Sequence, residues 1–252
     1  MDEVKNLDVY IQRMEKSLMD KLFFIDKIFE PVESILDFGC ANGVLIKAMS
    51  RLFPEYNYIG YDISEEMIKK AREYAPDCRF YQNWDDIDVS PENALINISS
   101  TVHEVYAYGT DESVKEFWDR VFNSGFKYIA IRDMMISEKD KIPSDPSDVK
   151  KARSLYPEKL SEYESIWGSI DEGFNLIHYL LKYRYTENWD REVRENYLPI
   201  TVEEMRALIP SHFEIIYDEH YTLPFIKQSI YHDCKIDLRS ATHFKLLLKI
   251  KK

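Results

Sequence analysis

The sequence predicts an α/β protein built on an open, doubly wound, mostly parallel sheet of seven strands. Between residues 34 and 133, short apolar runs alternate with stretches of helical periodicity: SILDF then VLIKAMSRLF, YNYIGYDI then SEEMIKKAREY, CRFYQ, ALINIS, then ESVKEFWDRVF and KYIAI. Strands separated by helices of roughly 10–15 residues are βαβ units, which place helices on both faces of a parallel sheet. The chain then closes with HFEIIYDEHYTL and ATHFKLLLKIKK, two strands close enough in sequence to pair antiparallel.

Each element has a local reason. Leu7, Tyr10, Ile11, Met14, Leu18, Leu22, Ile25 and Ile28 recur at helical spacing, predicting an amphipathic helix over residues 7–29 that Pro31 closes. The helix after Asp62 opens with Ser64 at its cap and Glu65 and Glu66 in its first turn, matching the helix dipole. Beyond KYIAI the rhythm breaks. Residues 136–200 are rich in charge, tyrosine and tryptophan, with Pro143, Pro146 and Pro157 marking turns. Helices are expected within 147–183, and another over Thr201–Leu208, started by the capping-box pattern TVEE. The predicted organisation is an N-terminal helical lid (1–30), a ligand-binding core (31–135), a helical insert capping the substrate (136–210) and a closing strand pair (211–252).

Bulk properties narrow the function. With 252 residues and 45% hydrophobic content, the chain can bury the core of one large domain. It has no run of about 18 apolar residues, so no membrane span is expected. The start, MDEVKNLDVY, is acidic where a signal peptide is basic and then apolar. Three scattered cysteines suit a reducing cytoplasm. A formal charge of −12 disfavours nucleic acid as a partner and favours a small molecule.

The stretch LDFGCANG, residues 36–43, holds two of only seven glycines in the chain. In such a sheet the first strand–loop–helix faces the ligand crevice. A nicotinamide site wants G-x-G-x-x-G, but the three positions here are Gly39, Ala41 and Val44, so two of three fail. Asp37 would also repel a pyrophosphate, whereas a cationic amine suits it.

LDFGCANG resembles the first motif of class I S-adenosylmethionine (SAM) dependent methyltransferases, acid-x-Gly-x-Gly-x-Gly, with Ala41 in place of the middle glycine. The resemblance covers residues 30–133 well and 212–252 by pattern. It implies SAM as cofactor, with Asp37 acting on its methionine part and Gly39, Cys40, Ala41 and Gly43 beneath it. Asp62 would accept both ribose hydroxyls and Ile63 would flank the adenine. Asn83 stands where the family usually has Asp, and Trp84 beside it is either a stacking residue or a packed one. Ser99 and Ser100 would lie beneath the cofactor. The expected activity is methyl transfer to oxygen or nitrogen of a small or medium-sized acceptor. The rivals are a non-catalytic methyltransferase-like subunit, an RNA methyltransferase and a nicotinamide enzyme.

The catalytic candidates are His103 and Glu104, after strand four; for His103 the competing role is capping or packing. Arg132 and Asp133, at the end of strand five, face the same edge as substrate contacts or as an ion pair. Tyr10 and Arg13 are candidates from the first helix. In HYLLKYRYTENWDREVRENY, aromatic residues including Tyr185 and Trp189 interleave with bases, a composition that suits a substrate cap or a homodimer interface equally. His220, His232, Cys234 and His243 lack any tight ligand pair, so no metal is expected.

Overall fold

The computed structural model describes residues 17–251. Seven strands form one sheet: β1 (Ser34–Phe38), β2 (Asn57–Tyr61), β3 (Arg79–Tyr81), β4 (Ala94–Ser99), β5 (Tyr128–Met134), β6 (Phe213–Tyr221) and β7 (His243–Ile250). Their order is β3-β2-β1-β4-β5-β7-β6. The first five run parallel. β7 lies antiparallel to β6, as the sequence predicts, and also to β5.

The buried strands explain their own composition. Along β4, Ala94, Ile96 and Ile98 enter one hydrophobic cluster and Leu95 the other; along β5, Ile129 and Ile131 part in the same way from Tyr128 and Ala130. A strand with both faces buried must be apolar throughout. On one face sit α1 (Val44–Leu52) and α2 (Glu65–Tyr74), contributing Leu45, Ile46, Met49, Ile68 and Ala71. On the other, α3 (Val102–Tyr108) and α4 (Asp111–Asn123) contribute Val102, Phe117, Trp118, Val121 and Phe122. Ser64 Oγ caps α2 by accepting the Met67 N–H at 3.3 Å.

The first helix departs from expectation. Residues 7–16, with Tyr10 and Arg13, lie outside the described residues. Between residue 17 and β1 the chain is α-helical only over Leu18–Lys21, then passes through a 3-10 turn at Ile25–Lys27. Leu22, Phe23 and Phe24 are all buried. Three consecutive buried side chains do not fit one helical stripe, so the chain wedges there instead of continuing.

The insert has its own hydrophobic core. It contains α5 (Pro146–Arg153), α6 (Pro157–Trp167) and α7 (Gly173–Lys182). The expected division at residue 210 is not the division of packing. Helix α8 (Val202–Leu208), opened by a Thr201–Glu204 capping box, packs Val202 and Met205 onto the sheet. Helix α9 (Pro224–Cys234), between β6 and β7, is absent from the sequence reading. Its Ile230 and Cys234 join the insert's core, with Ile236 and Leu238 just beyond it.

Candidate active site

The carboxyl ends of β1, β2, β4 and β5 define one edge, and the motif residues gather there. The β1–α1 loop turns through left-handed conformations at Gly39 (φ 77°), Ala41 (φ 46°) and Gly43 (φ 77°). What comes close to its glycines is the protein itself. A Cβ on Gly39 would stand 2.5 Å from Thr101 Oγ1, and one on Gly43 would press on Ala71 and Phe80 at 3.1–3.2 Å. Gly39→Ala should therefore destabilise the fold by about 2–4 kcal/mol, combining backbone strain with a clash; a chemical-denaturation midpoint within error of the parent's would refute this. Ala41 tolerates its strained φ because its N–H donates to Asp62 Oδ2 at 2.9 Å. The Cys40 thiol is buried in the core below the sheet, leaving only its backbone to the edge.

Asp37 is buried at 3% exposure and accepts a 2.7 Å bond from Asn97 Nδ2. Burial pushes its carboxyl up to about 7, against the pull of Asn97 and of Lys21, with Asp62 adding to the rise. Asp62 accepts the Ala41 and Ser64 N–H groups, one on each oxygen. Each of its oxygens keeps a further lone pair for a hydroxyl. Burial raises Asp62 as well.

Three buried polar atoms of this region have no hydrogen-bond partner: Asn42 Oδ1, Asn97 Oδ1 and Ser99 Oγ. Buried polar atoms are seldom left so. A raised, buried carboxylate beside such atoms fits a cationic, hydroxyl-bearing cofactor and would repel a phosphate. The residues present thus fit SAM.

The side expected to hold adenine is more open. Ile63 is 64% exposed. Asn83 is exposed and caps its own 3-10 turn by accepting the Asp85 N–H. Trp84 is half-buried, 5.7 Å from the Phe38 ring and 5.6 Å from that of Tyr61, with the Arg120 guanidinium over it. Packing on the sheet accounts for its contacts.

At the β4–β5 end, His103 is buried between carboxylates. Its Nδ1 lies 2.6 Å from Asp133 Oδ1, and its Nε2 3.5 Å from Glu195 Oε1. Burial alone would lower the imidazole; Asp133, Glu104 and Glu195 more than offset it, raising it to about 9. Burial raises the Glu104 carboxyl, and this side chain is the accessible one of the group, at 33% exposure. Arg191 reaches it at 3.2 Å and Glu195 at 3.5 Å.

Arg132 and Asp133 do not pair as a simple surface bridge. Asp133 holds His103, whereas Arg132 is bound by Asp20 Oδ2 at 2.9 Å and Ser100 Oγ at 3.0 Å. Asp20 also accepts from Tyr221 and Lys245, so the segment before β1 is braced across three strands. The next residue, Lys21, is buried and pushed down to about 8 by burial and by Arg132, with Asp37, Asp133 and Glu104 opposing.

From the insert, the structure brings Arg191 and Glu195 to this edge. Trp189 instead packs in the insert's core, its indole N–H donating to Glu162 at 2.7 Å. Tyr185 packs against that core, 6.2 Å from the Tyr197 ring. Arg191 is one of the bases that interleave with aromatics in the expected cap segment, whereas Lys21 and Glu195 escaped sequence reasoning. Lys21 had a signal, a base on the apolar side of the first helical stretch; Glu195 had none beyond charge.

Residues 35–123 match the family described as "Methyltransferase domain". Solved structures share the fold. The plantazolicin methyltransferase BamL, in complex with a triazolic desmethylPZN analog and SAH, superposes with a TM-score of 0.52 at 13% identity, over 94% of this chain and 85% of that one. Its counterpart BpumL, with the same kind of ligands, gives 0.50 at 15%, over 93% and 84%. The mitomycin 7-O-methyltransferase MmcR gives 0.50 at 14%, over 93% of this chain and 54% of the other. Residues 35–123 therefore form a methyltransferase domain, and the seven-stranded fold of the chain is the one that these solved methyltransferases share.

Proposed function

We propose that the chain binds SAM across Asp37 and Asp62 and methylates an oxygen or nitrogen of a small or medium-sized acceptor. When bound, SAM supplies a methyl group already activated on a sulfonium. The observation that carries the reading is the pair of carboxylates at the carboxyl ends of adjacent strands, Asp37 in β1 and Asp62 just past β2, with the unpartnered Asn97 and Ser99 atoms in the same region. Asp37 attracts the cationic amine and Asp62 accepts the ribose hydroxyls. Gly39, Cys40, Ala41 and Gly43 shape the loop with their backbone, Ser99 lies on the strand below, and Ile63, Asn83 and Trp84 border the adenine. His103 and Glu104 face the acceptor, Glu104 from the accessible side; Arg132 and Asp133 position the segments around them. Tyr10 and Arg13, together with Tyr185 and Trp189, belong to the closing elements on this reading. Small-molecule acceptors in the solved neighbours support the acceptor class, as does the −12 charge, which disfavours RNA. No helix among the described residues is long and apolar enough to cross a membrane, and three free cysteines suit a cytoplasmic location. A homodimer through the insert belongs to the same reading.

Calorimetry tests it: SAM and its demethylated product should both bind at micromolar level, one per chain. Binding of neither would reject the reading. Asp62→Ala should weaken SAM binding by about 1–3 kcal/mol through lost ribose bonds; unchanged affinity would displace the ribose from Asp62.

The raised Asp37 adds a pH signature. Between about pH 4 and 7 the folded chain keeps a proton that the unfolded chain has released, so Asp37 lowers stability as pH rises through that window. A cation bound beside it expels that proton. SAM affinity should rise by up to about tenfold per unit from pH 5.5 to 7 and then level off, with proton release at pH 6 visible when buffers of different ionisation enthalpy are compared. A flat profile with no release would show that Asp37 does not meet the cation.

A further inference from the structure

We propose that His103, Glu104 and Glu195 form a binding site for one divalent transition-metal ion at the acceptor end of the sheet. One ligand atom from each of the three lies within 4.8 Å of the others. They come from two parts of the chain: His103 and Glu104 open the helix after β4, and Glu195 arrives from the insert.

The contacts between them match a site built around an ion more closely than a finished ion pair. His103 Nε2 and Glu195 Oε1 are 3.5 Å apart. A charge-assisted hydrogen bond would close to about 2.7–2.9 Å. Two ligands of one ion, each bound at about 2.0–2.2 Å, stand roughly 3.0–3.6 Å apart. On the opposite side of the ring, Nδ1 is held by Asp133 at 2.6 Å. That carboxylate–histidine arrangement fixes the imidazole and aims Nε2 at a metal.

The carboxylates are divided between ion and protein. Arg191 takes Glu104 Oε1 and, at longer range, Glu195 Oε2. This leaves Glu195 Oε1 toward His103 and the second oxygen of Glu104 unclaimed by any hydrogen bond among the described residues. Arg191 therefore orients the ligands from outside. Glu195 is further fixed through its backbone: the buried Lys182 ammonium donates to the Glu192 and Glu195 carbonyls, between the rings of Trp167 and Tyr197 at 5.0 and 4.7 Å.

One nitrogen and two carboxylate oxygens suit Zn²⁺ or Mn²⁺ better than an ion wanting only oxygen. Coordination exchanges the Nε2 proton for the ion, the proton leaving to solvent. Three protein ligands leave a position open, on the side where Glu104 is exposed. On the methyltransferase reading, that position takes an acceptor oxygen; the binding of the ion itself does not depend on that reading.

The test uses the full chain dialysed against EDTA and titrated with Mn²⁺, free ion being read by electron paramagnetic resonance. Zn²⁺ and Mg²⁺ follow as competitors, and a separate titration with SAH reports the cofactor site. One Mn²⁺ per chain is expected, displaced by Zn²⁺ more readily than by Mg²⁺. Affinity should fall at least tenfold in Glu195→Gln and in Glu104→Gln, each shown folded by circular dichroism and by unchanged SAH binding. No bound Mn²⁺, or binding unaltered in both folded variants, overturns the proposal, the latter pointing to dispersed surface carboxylates.

Discussion

Asp133→Ala should cost about 3–5 kcal/mol of stability, the largest single effect expected in this chain. Asp133 is fully buried and accepts the His103 ring N–H, the His103 backbone N–H at 3.3 Å and the Met134 N–H at 2.7 Å. Burying two opposite charges gains little net energy, but removing one strands the other without water. His103 would then face only Glu104 and Glu195, at longer range. For a domain of this size each kcal/mol shifts the thermal midpoint by about 2–4 °C, so a fall on the order of 10 °C is expected by circular dichroism. Asp133→Asn, which can still accept, should lose less. Equal, small losses in both would mean that His103 is held by something other than this carboxylate.

Asp37→Asn should separate stability from binding. Asp37 is an acid that the fold pushes up to about 7 by burial, so its ionised form strains the free protein at neutral pH. Asparagine keeps an oxygen for Asn97 Nδ2 and carries no charge. The ligand-free variant should therefore melt no lower than the parent at pH 8. Its affinity for SAM should fall roughly ten- to hundredfold, the worth of a bond from a charged group. Parallel losses in both quantities would assign Asp37 a purely structural role.

Most of the fold was legible because a buried parallel sheet writes itself into consecutive residues. ALINIS and KYIAI have to be apolar on both faces, and Ser64 and Thr201 announce their helices through caps that the structure contains. The motif at 36–43 was legible as a loop of special backbone. The reason for its glycine at 39 was not, since Thr101 lies far along the chain and meets it only after folding. Trp189 shows the limit of composition. An aromatic among bases reads equally as a surface for ligand or as an anchor, and only the fold puts its ring inside. Helix α9 was missed although Pro224 occupies its first turn, a start signal that the neighbouring strand patterns obscured. Glu195 left no mark at all. Its meeting with His103 depends on how the insert folds back, and no local period encodes that.

The account rests on one ligand spanning the tips of β1 and β2, and a crystal structure of the protein grown with SAH tests this most directly. It should show the amino group of the ligand on the Asp37 side, directly or through one water, and both ribose hydroxyls within about 3 Å of the Asp62 carboxylate. Density for SAH elsewhere, or a bound ligand whose ribose turns away from Asp62 while Asp37 remains sealed behind Asn97, would contradict it.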